Sequence, residues 1–166
     1  MGRKSGIAII LIMSLVLSAG GCAKADAPAG NDPVKIGFVS ETFVIARWQK
    51  DRDAFVAKAK ELGAEVLVQH TYEDSEEQIQ VMEDLIQENV DVIVITPYDK
   101  DALAAVIKRA KDKGIKVIAY DRLIMNADVD LYVSFDNYAV GQLMAENLLE
   151  VVSTGRYAIV NGSPYD

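Results

Sequence analysis

Three observations predict an α/β fold, a doubly wound parallel sheet. Short apolar runs rich in Val and Ile recur at residues 34–40, 65–69, 91–97 and 116–120, and such runs bounded by polar residues read as strands. Segments with apolar residues at helical spacing lie between them. Gly63 and Gly114 stand where a helix can end in the left-handed conformation. Alternation of this kind gives a parallel sheet with right-handed crossovers and helices on both faces.

Each element has its own warrant. Residues 34–40 follow Pro33 and form the first strand. Residues 48–62 form a helix whose inner face is Phe55, Val56, Ala59 and Leu62. Residues 65–69 are the second strand. Ser75 with Gln78 three residues on fits a capping box for a second helix, with Ile79, Met82, Leu85 and Ile86 inward. Residues 91–97 are nearly continuous in apolar side chains, as in a central strand covered on both faces. Asp99 is expected to cap a third helix with Leu103, Val106, Ile107 and Ala110 inward, and residues 116–120 are the fourth strand. The connection 122–131 is short for a parallel crossover, yet the fifth strand, 132–135, is expected to be parallel. Asp136 is placed to cap a helix over 137–152 with Val140, Leu143, Met144, Leu148 and Val151 inward, and residues 157–161 are expected to be a sixth strand.

The amino terminus reads as a targeting segment. Arg3 and Lys4 precede an apolar stretch at 7–17, of signal-peptide length and short for a membrane span. Small residues 18–21 and then Cys22 follow. Cys22 is the only cysteine, so no disulfide forms within the chain. Its setting resembles a bacterial lipoprotein signal, which predicts a leader over 1–22 lipidated at Cys22. Residues 23–33, rich in Ala, Gly and Pro, then serve as a flexible tether. The chain carries 17 basic and 25 acidic side chains. Arg3 and Lys4 leave with the leader, so 15 basic groups face 25 acidic ones, a net charge of −10. That balance argues against nucleic-acid binding.

The chemistry sits at the ends of the strands. In an open parallel sheet the ligand crevice lies outside the carboxyl ends, and the fourth strand ends in Asp121-Arg122. Arg47 and Trp48 follow the first strand. A carboxylate accepts from two adjacent hydroxyls and a guanidinium donates through a planar fork, so these types suit a neutral polyol. The usual glycine-rich phosphate cradles and the nucleophile elbow are missing from the sequence. His70, the one histidine, has no evident catalytic partner and is expected to be structural or solvated. Asn126, Asp128 and Asp130 have the spacing of three calcium-loop ligands, but Leu131 and Asn137 stand where that loop needs Gly and Glu. No metal, no cofactor and no enzymatic activity are expected.

Arg47-Trp-Gln-Lys-Asp-Arg-Asp53, Val90-Asp-Val-Ile-Val-Ile-Thr-Pro-Tyr98, Gly114-Ile-Lys-Val-Ile-Ala-Tyr-Asp-Arg122, Ser134-Phe-Asp-Asn137 and Gly162-Ser-Pro-Tyr-Asp166 together carry a resemblance. From residue 34 to its last residue the chain resembles the type I periplasmic sugar-binding proteins of ABC importers, the D-xylose-binding type most closely. The resemblance implies two lobes that close on a monosaccharide, a pentose, and dock on an ABC permease. Residues 34–153 would be the amino-terminal lobe and 154–166 the incomplete start of a second lobe. Arg47, Asp121 and Arg122 would contact the sugar from the first lobe and Asp166 from the second, with Trp48 a looser correspondence. The loop 40–46 departs from the xylose type. With the leader, the family implies an exported protein, anchored through Cys22 to the outer face of the cytoplasmic membrane or free in the periplasm. A sugar sensor feeding a membrane receptor is the alternative role.

Overall fold

The computed structural model describes residues 32–162. Cys22 and the leader, and Asp166 with the three residues before it, lie outside the described residues. The strands are β1 (Lys35–Ser40), β2 (Glu65–His70), β3 (Val92–Ile95), β4 (Lys116–Tyr120) and β5 (Leu131–Val133), and the helices are α1 (Ala46–Glu61), α2 (Ser75–Gln87), α3 (Ala104–Asp112) and α4 (Asn137–Val151). The strands form one sheet in the order β2-β1-β3-β4-β5, every pair parallel. The doubly wound α/β sheet read from the sequence is present, and β5 is parallel as expected.

Side chains alternate across the strands. Val39, Ile93, Ile95, Val117 and Ala119 join Met82, Leu85 and Ile86 of α2 and Leu103, Val106, Ile107 and Ala110 of α3 in one buried core. Phe38, Val94 and Ile118 line the opposite face beside α1, with the Phe38 and Phe55 ring centroids 5.0 Å apart. Gly37 of β1 lets α2 come close, because a Cβ there would lie 2.6 Å from Leu85 Cδ1.

The connection from β4 to β5 works without a helix because it is itself packed. Ile124 belongs to the core, and Ala127 and Val129 lie against it. Asp130 closes it: Oδ2 accepts from Val117 N at 2.9 Å, and Oδ1 meets Lys111 Nζ at 3.0 Å and Lys116 Nζ at 3.2 Å. The Val117 amide and then Lys111 hold this carboxyl down to a pKa of about 2. A depressed folded pKa means stability present above the ordinary value, 3.8, and lost as pH falls through about 2. We expect the urea midpoint of the wild type to fall through that window more steeply than that of Asp130→Asn. Parallel pH profiles would refute the assignment.

Several expectations are corrected. The cap of α2 lies one residue earlier: Asp74 is the N-cap and accepts from Glu77 N at 2.8 Å, while Glu77 Oε2 reaches past it to accept from Tyr72 N at 3.0 Å. Gln78 is instead buried, its Nε2 donating to Thr96 O and its Oε1 accepting from Tyr98 N, both at 3.0 Å. It therefore fixes the chain beyond β3. Asp99 closes a turn by accepting from Asp101 N, and α3 starts later with Leu103 as its N-cap. Leu62 is exposed because α1 ends at Glu61 and Gly63, at φ +80°, turns the chain away. Helix α4 forms, capped by Asp136 through Ala139 N, but Val140, Leu143, Met144, Leu148 and Val151 lie on its surface and it has no buried residue. Residues 157–161 form no strand, and Ile159 and Val160 are exposed. A strand needs a neighbour for its backbone groups, and none of the described residues pairs with this run.

Candidate functional site

Because every strand runs the same way, all the carboxyl ends meet at one edge. Glu41 follows β1, Pro97 lies just beyond β3, Asp121 and Arg122 follow β4, and Ser134 and Phe135 follow β5. The turn after β1 is held firmly: Ser40 Oγ donates to Thr42 O at 2.9 Å, Thr71 N to Ser40 O at 3.0 Å and Glu73 N to Glu41 O at 3.1 Å. This fixes the backbone from which Glu41 projects.

Asp121 and Arg122 are neighbours in sequence, and each is ion-paired with a residue far away in the chain. Asp121 Oδ1 is ion-paired with Arg47 Nη2, and Arg122 Nη1 is ion-paired with Glu41 Oε2 and donates to Pro97 O at 3.2 Å. The two pairs tie β4 to the β1–α1 segment across β3. They differ in exposure. The Glu41 side chain is 5% exposed and that of Arg122 20%, so this pair is largely interior. The Arg47 side chain is 43% exposed beside Asp121 at 14%, so this pair is open to solvent on the Arg47 side. Arg47 Nε also lies 3.5 Å from Asp51 Oδ2, which accepts from Tyr120 OH at 3.0 Å. Burial acts to lower the Arg47 pKa, but the Asp121 hydrogen bond and the charges of Asp121 and Asp51 outweigh it and raise it. Burial and then the Asp51 hydrogen bond raise that of Tyr120.

Two rings complete the setting of Arg47. Its guanidinium carbon lies 4.4 Å from the Trp48 ring centroid and 5.3 Å from that of Phe135, within the range of cation–π attraction. Trp48 is 5% exposed, with Nε1 buried and without a hydrogen-bond partner among the described residues. It reaches the site as the floor beneath Arg47. Of the residues singled out from the sequence, Arg47, Asp121 and Arg122 come together at this edge, and Trp48 stacks against Arg47. Asn126, Asp128 and Asp130 lie elsewhere, and Asp130 is taken up by its lysines.

Sequence reasoning missed Glu41, Asp51, Tyr120 and Phe135. The signal for Glu41 was present: it is an acid ending an apolar strand, the same position as Asp121. Asp51 lies four residues after Arg47 on a helix, the spacing at which side chains meet.

Comparison with known proteins decides the relationship. Residues 36–166 match the periplasmic binding protein domain. The chain belongs to that family. It is 50% identical over 133 residues to a D-xylose-binding periplasmic protein of Escherichia coli, a match spanning 80% of this chain and 40% of that protein. It is 45% identical over 153 residues to a D-xylose-binding periplasmic protein of Haemophilus influenzae, spanning 92% of this chain and 46% of the other. Among solved structures, an ABC transporter solute-binding protein of Clostridium phytofermentans with bound β-D-glucose superposes with a TM-score of 0.70 at 38% identity, over 72% of this chain and 37% of that one. The chain thus spans less than half the length of these relatives and corresponds to their amino-terminal lobe. Its rim of paired acids and bases stands at the carboxyl ends of a type I binding-protein sheet.

Proposed function

We propose that this chain supplies one wall of a monosaccharide site, with D-xylose as the preferred sugar, in an exported solute-binding protein that serves an ABC permease. The observation that carries the reading is the partly exposed Arg47–Asp121 pair, set beside Arg122–Glu41 at the carboxyl edge of a parallel sheet. A guanidinium has five N–H donors and a carboxylate about four acceptor sites. Arg47 and Asp121 therefore retain capacity for sugar hydroxyls after bonding each other. Such a site rejects analogues that lack a hydroxyl, because its polar groups would be left unpaired. The D-xylose names of two relatives support the sugar. Their periplasmic names, with the leader and Cys22, support export and a lipid anchor at that cysteine. Asp166 would approach the sugar from the opposite wall.

A one-sided wall buries far less of a ligand than an enclosed pocket does. Binding by this chain is therefore weak, with Kd in the millimolar range, about −4 kcal/mol. The test is a titration followed by amide NMR shifts, with pentoses and hexoses in parallel. Saturable shifts at Arg47, Asp121 and Arg122 with D-xylose are expected. No rim shift with any pentose would overturn the sugar reading, and tight binding would overturn the one-walled site.

A further inference from the structure

Strand β5 is a puzzle as a structural element. It has three residues, Leu131, Tyr132 and Val133, and all three are exposed. It adds nothing to the buried core, yet the four residues from Tyr132 to Phe135 all meet the rim. Tyr132 OH donates to Asp121 O at 3.2 Å, and Ser134 Oγ donates to the same oxygen at 2.7 Å. Val133 O accepts from Asp121 N at 2.8 Å. Phe135 places its ring against the Arg47 guanidinium.

Asp121 has φ +67°, the left-handed region. Residues with a Cβ are disfavoured there, Asp and Asn least so. The backbone conformation of Asp121 therefore needs support, and its N–H and its carbonyl both find it on β5 and the residue after it. In the extended or right-handed regions the Asp121 carbonyl would leave the two hydroxyls, and its carboxylate would leave Arg47.

We infer that residues 132–135 are a positioning template, in which the hydroxyls of Tyr132 and Ser134 lock Asp121 in its left-handed conformation and so aim its carboxylate at Arg47 and at ligand. The template is a statement about the chain itself. Only its effect on affinity rests on the sugar-binding reading above.

The test uses Ser134→Ala, Tyr132→Phe and the double variant in the full chain, with two readouts. The first is the backbone state of Asp121, read from its carbon secondary shifts and its amide–α-proton coupling without sugar. The second is D-xylose affinity by the amide-shift titration. The double variant is expected to lose the left-handed signature, to weaken xylose binding about tenfold because the competent conformation is then less populated, and to melt a few degrees lower, as the loss of two hydrogen bonds implies. Ser134→Thr, which keeps a hydroxyl, should retain both properties. If the double variant does not fold, Ser134→Ala alone is read the same way. An unchanged Asp121 signature in a folded variant overturns the template whatever the sugar result. A lost signature in a chain whose wild type binds no pentose upholds the template and overturns the sugar reading.

Discussion

Replacing Arg122 with Met while Glu41 stays is expected to destabilise the fold by about 3 kcal/mol, at the lower end for breaking a buried ion pair because Arg122 keeps some solvent contact. The Glu41 carboxylate is almost wholly enclosed and would lose a charged partner that costs far more to remove than the pair contributes net. The substitution also removes the Arg122 bond to Pro97 O. Urea denaturation of Arg122→Met, Glu41→Gln and the double variant measures the coupling. The double variant should lose clearly less than the sum of the singles, because neither charge is then stranded. An additive result, or a wild-type midpoint for Arg122→Met, would show that the pair does not couple β4 to β1.

Leu85→Ala is expected to cost about 3–4 kcal/mol, the range for emptying a buried leucine site that cannot collapse. Leu85 is 2% exposed and stands between α2 and the β1 backbone. Gly37→Ala, which pushes a methyl to 2.6 Å from Leu85 Cδ1, should cost about 1–3 kcal/mol by overpacking. The two should not add. With Leu85 cut to Ala, the methyl introduced by Gly37→Ala gains the room it lacked, so the double variant should be more stable than the sum predicts. Denaturant midpoints for the three variants decide it, and strict additivity would mean that α2 shifts as a body and does not hold Leu85 against β1.

The strands were legible because a parallel strand covered on both faces has to be apolar throughout, as in Val92–Ile95. The left-handed glycines at 63 and 114 were legible for an equally local reason. Arg122 and Asp121 were legible as rim residues because strand ends in a parallel sheet share one edge. Their pairing was not. Which acid meets which base depends on β3 lying between β1 and β4, and no local pattern states a strand order. The stripe on α4 carries the opposite lesson. Periodicity identified Val140, Leu143, Met144, Leu148 and Val151 as one apolar face, but an apolar face does not name what covers it. The caps of α2 and α3 shifted because Asp74 and Ser75 can both cap, and because Asp99 had a nearer amide, that of Asp101, to accept.

The bonds at the rim join residues far apart along the chain. Arg47 meets Asp121 across 74 positions, Arg122 meets Glu41 across 81, and Tyr120 meets Asp51 across 69. Bringing such distant residues together carries a loop-closure cost that local helical contacts do not. None of these bonds can form until β1, β3 and β4 lie side by side. A half-folded chain, even one with every helix formed, therefore has no crevice to offer. On the proposed sugar-binding reading, sugar added during refolding should leave the early phases unchanged and slow only the unfolding of the finished sheet.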